Sequence, residues 1–178
     1  PTFLAIGTIY PAKGYDRLLK VHKKLLDEGF QHRILIIGDG YDFENISNMK
    51  SDLNLDETVE MLGYIENPYP YLKAADYFIL SSIYESFPTV LFEAVSLNKK
   101  IISTKVPGAK ELLNNGELGC LVDNSEEGIY KGMRKALEKP EYFDVFLKNF
   151  KNYDSPFQLK NSVGLIENII DKLLQTQD

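Results

Sequence analysis

Apolar residues fall along this chain in two alternating kinds of pattern. Short continuous apolar runs bounded by turn residues recur at "TFLAIG" (2–7), "RILIIG" (33–38), "TVEMLG" (58–63), "DYFILS" (76–81), "KIISTK" (100–105) and "GCLVD" (119–123). Runs that stay apolar at successive positions belong to strands covered on both faces. Between them the apolar positions recur at helical spacing. Tyr15, Leu18, Leu19, Leu25 and Leu26 share one face of a predicted helix over 15–26, and Gly29 stops it. Shorter helices are predicted at 43–53, 68–73, 88–97, 110–114 and 126–138.

Strand, helix, strand, repeated with short connections, predicts an α/β fold: a doubly wound parallel sheet of about six strands with helices on both faces. In such a sheet the ligand sits beyond the carboxyl ends of the strands, so function is sought in the loops that follow each strand. The pattern changes after Pro140. Aromatic-rich "EYFDVFLKNFKNY" leads to a proline-marked break at "YDSPF", and Val163, Ile166, Ile170, Leu173 and Leu174 form one stripe of a final helix. The reading is one domain over 1–178, with a core of about 1–139 and a C-terminal helical tail of about 140–178.

Composition narrows the function. With 178 residues, 44% hydrophobic and 26% charged, the chain buries a full core and folds as a globular protein. A net charge of -6 excludes a general nucleic-acid surface, so any anion must be bound locally. Cys120 has no cysteine to pair with, which fits a buried thiol in a reducing cytoplasm, and one Cys with two His assembles no metal cluster. No apolar run approaches the ~18 residues of a membrane span. The chain opens on "PTFLAIG", already inside a strand and without Met, and is expected to be a piece of a longer protein.

Three loops carry candidate chemistry. In "GTIYPAKGYD", Gly7 and Gly14 let the backbone approach a ligand, and Lys13 places a cation at the mouth of the first helix. In "GDGYDF", the dinucleotide pattern G-x-G-x-x-G fails because Phe43 stands at the third glycine and the loop follows the second strand. A tight turn is the simpler account, with Asp39 and Asp42 as turn formers and Gly40 close to a ligand. In "SSIYESFPTVLFEAV" (81–95), Pro88 suits the first turn of a helix, which leaves the amides of Thr89, Val90 and Leu91 free for a diphosphate. Glu85 enters the same space from the loop, and Glu93, one turn into the helix, leans back over it. Read without that context, Glu93 complements the helix dipole and Glu85 is a loop charge.

These segments, taken in order, resemble the donor-binding, C-terminal half of retaining nucleotide-sugar glycosyltransferases of family 4, with the Rossmann-like GT-B architecture. The resemblance runs from the first strand to about Asp123. It rests on Gly7, Lys13 and Gly14, "IIGDG" (36–40), "LGYIEN" (62–67), "AADYFILSSIYESFPTVLFEA" (74–94), "IISTKVPGAKEL" (101–112) and "GCLVDN" (119–124). It implies that Glu85 and Glu93 are the family's paired acids, with Glu93 on the ribose hydroxyls and Glu85 on the transferred sugar near its reacting carbon. Lys13 is expected on the diphosphate, beside Gly7 and Thr8. The main-chain amides from Phe87 to Val90, a stretch that includes Pro88 and Thr89, are expected to hold the sugar and phosphates, with Ser86 also at the binding site, Tyr64 and Ile65 at the base, and Gly40 close to the ligand. Lys13 and Glu85 are the residues expected to carry catalysis. Where the family usually has an arginine, this chain has Thr8, and a hydroxyl replaces neither its charge nor its fork.

What the resemblance implies is a hexosyl transfer from a UDP- or GDP-sugar to a glycan or lipid acceptor, with retention, no cofactor and no metal. It points to a bacterial-type enzyme of polysaccharide biosynthesis in the cytoplasm, the full-length protein lying at the inner face of the membrane. The acceptor-binding domain would precede Pro1, so this fragment alone is expected to be inactive. The alternative is a nucleotide-binding or regulatory module of the same fold that has lost catalysis, suggested by Thr8. A dinucleotide oxidoreductase is disfavoured by the broken glycine pattern. His22 and His32 are expected at structural or exposed positions rather than as a base.

Overall fold

Each apolar run is a strand, and the strands are β1 (Thr2–Ile6), β2 (Arg33–Ile37), β3 (Val59–Met61), β4 (Tyr77–Leu80), β5 (Lys100–Thr104) and β6 (Cys120–Val122). The computed structural model describes residues 1–152, so the proline-marked break and the stripe from Val163 to Leu174 lie outside the described residues. All six strands pair in parallel in the order β3-β2-β1-β4-β5-β6, with Thr2 opposite Arg33 and Ile6 opposite Ile37 at the centre. The chain winds outward from β1 to β3, returns to the middle as β4 and winds outward again to β6. That reversal leaves a crevice beyond the carboxyl ends of β1 and β4.

Helices cover both faces because each strand sends successive side chains to opposite sides. Phe3, Ala5, Ile34, Ile36, Tyr77 and Ile79 share one core with Leu18, Leu19 and Leu25 of α1 (Tyr15–Asp27), Ile46 of α2 (Phe43–Asp52) and Met133 of α6 (Glu126–Glu138). Leu4, Phe78, Leu80 and Ile101 share the other. Their partners there are Leu72 of α3 (Tyr69–Ala74), Leu91 and Ala94 of α4 (Thr89–Ser96), and Ala109 and Leu112 of α5 (Pro107–Leu112). Each such Leu, Ile or Phe contributes about 1.5–3 kcal/mol by leaving water. A 3₁₀ turn at Pro140–Phe143 and α7 (Asp144–Asn152) close the edge, Phe146 joining the first core and Phe150 packing on the second.

Three predicted helices begin elsewhere, α3 by one residue, at Tyr69 with Pro68 as its cap. α5 starts at Pro107 rather than Lys110, because Pro107 sets the backbone angle of a first helical position. Pro88 is extended (φ -74°, ψ 92°) and caps α4, whose first residue is Thr89. On α1, Leu26 is only partly buried, and Val21 and His22 complete the buried face. α6 is bounded as predicted, and the Ser125 hydroxyl accepts the Gly128 amide at 3.0 Å, a capping bond that contributes about 1 kcal/mol. Among the described residues no helix is long and apolar enough to cross a membrane.

Candidate functional site

At the reversal point the loops after β1, β3 and β4 enclose a cleft of about 410 Å³. Its floor depends on a close backbone crossing. A Cβ on Gly38 (φ 143°) would lie 2.0 Å from the Gly7 carbonyl oxygen, so only glycine lets the ends of β2 and β1 meet there. Gly7 is fixed further by its own amide, which donates to Ile37, and by the Tyr15 hydroxyl, which donates to its carbonyl at 3.1 Å. Burial, and then the Glu85 carboxylate and Tyr10, push the Tyr15 phenol well above its ordinary pKa, so it stays a neutral donor.

Lys13 ends a 3₁₀ turn (Pro11–Lys13) and forms an ion pair with Glu85 across the cleft. The two side chains are only 12% and 16% exposed, so the pair is partly desolvated. From the other wall α4 presents its first turn. Thr89 and Val90 line the cleft, and as the first two residues of α4 their backbone amides have no intrahelical acceptor. The Leu91 amide is spent, since it donates to the Pro88 carbonyl at 2.9 Å, so the expected trio of free amides is a pair. Glu93, one turn further on and partly buried, lines the same cleft.

Gly7, Thr8, Lys13, Tyr64, Ile65, Glu85, Phe87, Pro88, Thr89, Val90 and Glu93 are thus brought together around one space. Gly40 and Ser86 lie off it. Gly40 faces the neighbouring loop, where a Cβ would come within 2.2 Å of the Ile9 carbonyl oxygen. The exposed Ser86 hydroxyl turns to Tyr84, to which it donates at 3.2 Å. Among the lining residues Lys13 faces three carboxylates, those of Glu66, Glu85 and Glu93. The arrangement offers one cation and one helix start to an anion, and carboxylate acceptors to hydroxyl groups on either side.

Residues outside the sequence-based expectation hold these parts in place. The Ser81 hydroxyl donates to the Lys13 carbonyl at 2.8 Å, and the Ile83 amide donates to the Ala12 carbonyl at 2.7 Å. Arg17 of α1 donates to the Ser81 carbonyl (2.5 Å) and to the Asn124 side chain (3.0 Å), and the Asn124 amide group donates to the Ile83 carbonyl at 2.7 Å. Gly108, in the first turn of α5, backs onto the Ser86 carbonyl. Ser81 and Asn124 are signalled only by position, each a polar residue just past the carboxyl end of a strand, and Arg17, in the first turn of α1, carries no such signal.

The two histidines lie far from this site, near the amino end of β2. Both are buried. His32 Nδ1 donates to the Phe30 carbonyl (3.0 Å), so its Nε2 accepts from His22 Nδ1 (2.7 Å), and His22 Nε2 in turn accepts from the Thr58 hydroxyl (2.9 Å). Burial, and secondarily His32, pull the pKa of His22 down to about 3; burial lowers that of His32 as well. Among the described residues no group of three or more His, Cys, Asp or Glu is placed to hold a metal ion.

Residues 1–153 match the family described as Glycosyl transferases group 1. The Campylobacter jejuni N-acetylgalactosamine-N,N'-diacetylbacillosaminyl-diphospho-undecaprenol 4-alpha-N-acetylgalactosaminyltransferase is 28% identical over 151 residues, covering 84% of this chain and 40% of that protein. Among solved structures, Anabaena HepE in complex with UDP superposes with a TM-score of 0.80 at 19% identity, over 98% of this chain and 48% of that one. The pneumococcal O-GlcNAc transferase GtfA in complex with UDP and GlcNAc gives 0.83 at 14% identity, over 97% of this chain and 36% of that one. At these identities the likeness to the solved structures is one of fold. The chain spans about two fifths of the length of the curated relatives it matches.

Proposed function

Since the chain belongs to the group 1 glycosyl transferases, we propose that it is the donor-binding, C-terminal half of a retaining family 4 enzyme of GT-B architecture. The reaction is transfer of a hexosyl group from a UDP- or GDP-sugar to a glycan or lipid acceptor. One observation carries this reading: Lys13, the first two residues of α4 (Thr89 and Val90), Glu85 and Glu93 all line one cleft. The diphosphate lies against Lys13 and the start of α4, where a cation and the helix dipole stabilise the charge that builds as the bond from the sugar carbon to the phosphate oxygen breaks. Glu93 accepts from the ribose hydroxyls, Glu85 holds the transferred sugar near its reacting carbon, and Tyr64 with Ile65 seats the base. Lys13 and the helix start supply this positive charge without a metal or cofactor.

Acceptor contacts come from parts of the protein outside this chain, which is inactive alone; the chain spans about two fifths of the curated relatives. The intact protein works in the cytoplasm at the inner face of the membrane, in keeping with the lipid-linked acceptor named for the Campylobacter jejuni relative. A second reading, a nucleotide-binding or regulatory module without catalysis, is favoured by Thr8, which leaves Lys13 as the one cation among the cleft-lining residues.

Calorimetric titration of UDP and GDP into the wild type, Lys13→Ala and Glu93→Ala tests the proposal. One nucleotide binds the wild type and both substitutions weaken it; equal affinity in all three proteins, or no binding to the wild type, overturns the assignment. Sugar turnover by the intact protein separates enzyme from module.

A further inference from the structure

Arg17 is not among the cleft-lining residues, yet it is bonded to the chain after β4 that leads into the cleft and to the loop after β6. It belongs to α1, and its guanidinium passes over Gly14, where a Cβ would lie 2.9 Å from Nε and 2.4 Å from the Ser81 carbonyl oxygen. The bare glycine is what admits the fork. One arm donates to the Ser81 carbonyl at 2.5 Å and the other to Asn124 Oδ1 at 3.0 Å. Asn124, in the loop after β6, returns the contact by donating to the Ile83 carbonyl at 2.7 Å. The chain from Ser81 to Ile83 is therefore gripped from two sides by one guanidinium–amide pair. Two of these residues, Ser81 and Ile83, are also bonded to Lys13 and Ala12 in the loop after β1. Two residues beyond Ile83 comes Glu85.

We infer that Arg17 and Asn124 are positioning residues for Glu85: they clamp Ser81–Ile83 so that the Glu85 carboxylate faces Lys13 inside the cleft. The inference rests on the reading of the cleft as a nucleotide-sugar site. A planar fork meets a carbonyl and an amide oxygen together in fixed directions, and a lysine in its place reaches one of them at a time. Because the loop from 81 to 85 is irregular, its direction is set by these bonds rather than by a ladder of its own. Loss of the clamp swings Glu85 away from Lys13 and removes the contact that separates a sugar-bearing nucleotide from the bare one, while the helix start that holds the phosphates is left in place.

Two measurements on the intact protein decide it. The first needs no nucleotide: modification of Lys13 by an amine-reactive reagent, followed by mass spectrometry, with Lys23 as internal reference. Arg17→Ala and Asn124→Ala raise the Lys13 rate several-fold over Lys23, and Arg17→Lys does so nearly as much; an unchanged ratio in all three overturns the clamp. The second compares the sugar nucleotide that the wild type binds, a UDP- or GDP-sugar, with its own bare nucleotide, UDP or GDP. Arg17→Ala reduces the preference for the sugar nucleotide by about tenfold, and in a Glu85→Ala background it has no further effect, because the two residues act as a unit. A positioning role limited to general folding weakens both ligands alike and adds to Glu85→Ala, which refutes the inference. If Arg17→Ala fails to fold, the exposed Asn124→Ala substitution carries both readings. If the wild type binds no nucleotide, the proposed function fails, and Lys13 reactivity alone decides the clamp.

Discussion

Gly108 lies so close to Ser86 that a Cβ at position 108 would stand 2.3 Å from the Ser86 carbonyl oxygen, while its amide points at the Glu85 carbonyl 3.4 Å away. The first turn of α5 is thus a wall against which the loop carrying Glu85 and Phe87 rests. Gly108→Ala pushes that loop into the cleft. The expected cost is about 1–3 kcal/mol of stability, as for other overpacked sites, with a matching loss of nucleotide affinity. Urea denaturation and calorimetry measure the two effects.

The pair Lys13–Glu85 predicts substitutions of opposite sign. In the unliganded site Lys13 is held by Glu85, so an incoming diphosphate competes with a carboxylate for the same ammonium. Glu85→Gln frees the cation: UDP binds as well as or better than to the wild type, while the added affinity of the sugar disappears. Lys13→Met leaves three carboxylates around the phosphates and abolishes UDP binding. Titrations of UDP and of the sugar nucleotide against both variants read the difference.

Thr8 lines the cleft at an exposed position on the β1 side, and on the proposed reading a longer side chain there meets the diphosphate. Thr8→Arg adds a forked cation to a site with one lysine and three acids. A charge-assisted hydrogen bond of about 1.5–3 kcal/mol corresponds to roughly a tenfold or greater gain in UDP affinity. The gain shrinks as salt is raised, because a partly exposed pair is screened. Equal affinities for wild type and variant at low salt contradict the placement.

The buried His22–His32 pair sets a pH dependence. The folded pKa of His22, about 3, lies below its ordinary 6.5, so the unfolded chain takes up the proton first as pH falls. The stabilising contribution is complete above about pH 6.5 and is lost between there and pH 3, a loss on the order of a few kcal/mol. Denaturation midpoints followed across that window fall with pH, and His22→Gln flattens the slope.

The strands were legible because burial on both faces writes them as unbroken apolar runs, and the cleft was legible because its cation, one acid and the helix start with the second acid lie in the connections after β1 and β4. The rest required distance information. Arg17 meets Ser81 from 64 positions away, and Asn124 meets Ile83 from 41. A glycine that serves a neighbouring backbone, as Gly40 serves Ile9, looks in sequence like one that serves a ligand. The spent amide of Leu91 follows from Pro88 being extended, an angle its residue type does not fix. His22 fell on the apolar face of α1 but carried no apolar signature, since its burial is made tolerable by His32 and Thr58.

The sheet ends in β3 and β6, each only three residues long. An outermost strand so short leaves few open main-chain groups for a foreign strand to zip onto. Among the described residues the sheet therefore offers little seed for fibril growth at either margin, and its longer inner strands, which would be the stronger templates, are enclosed on both sides by their own neighbours.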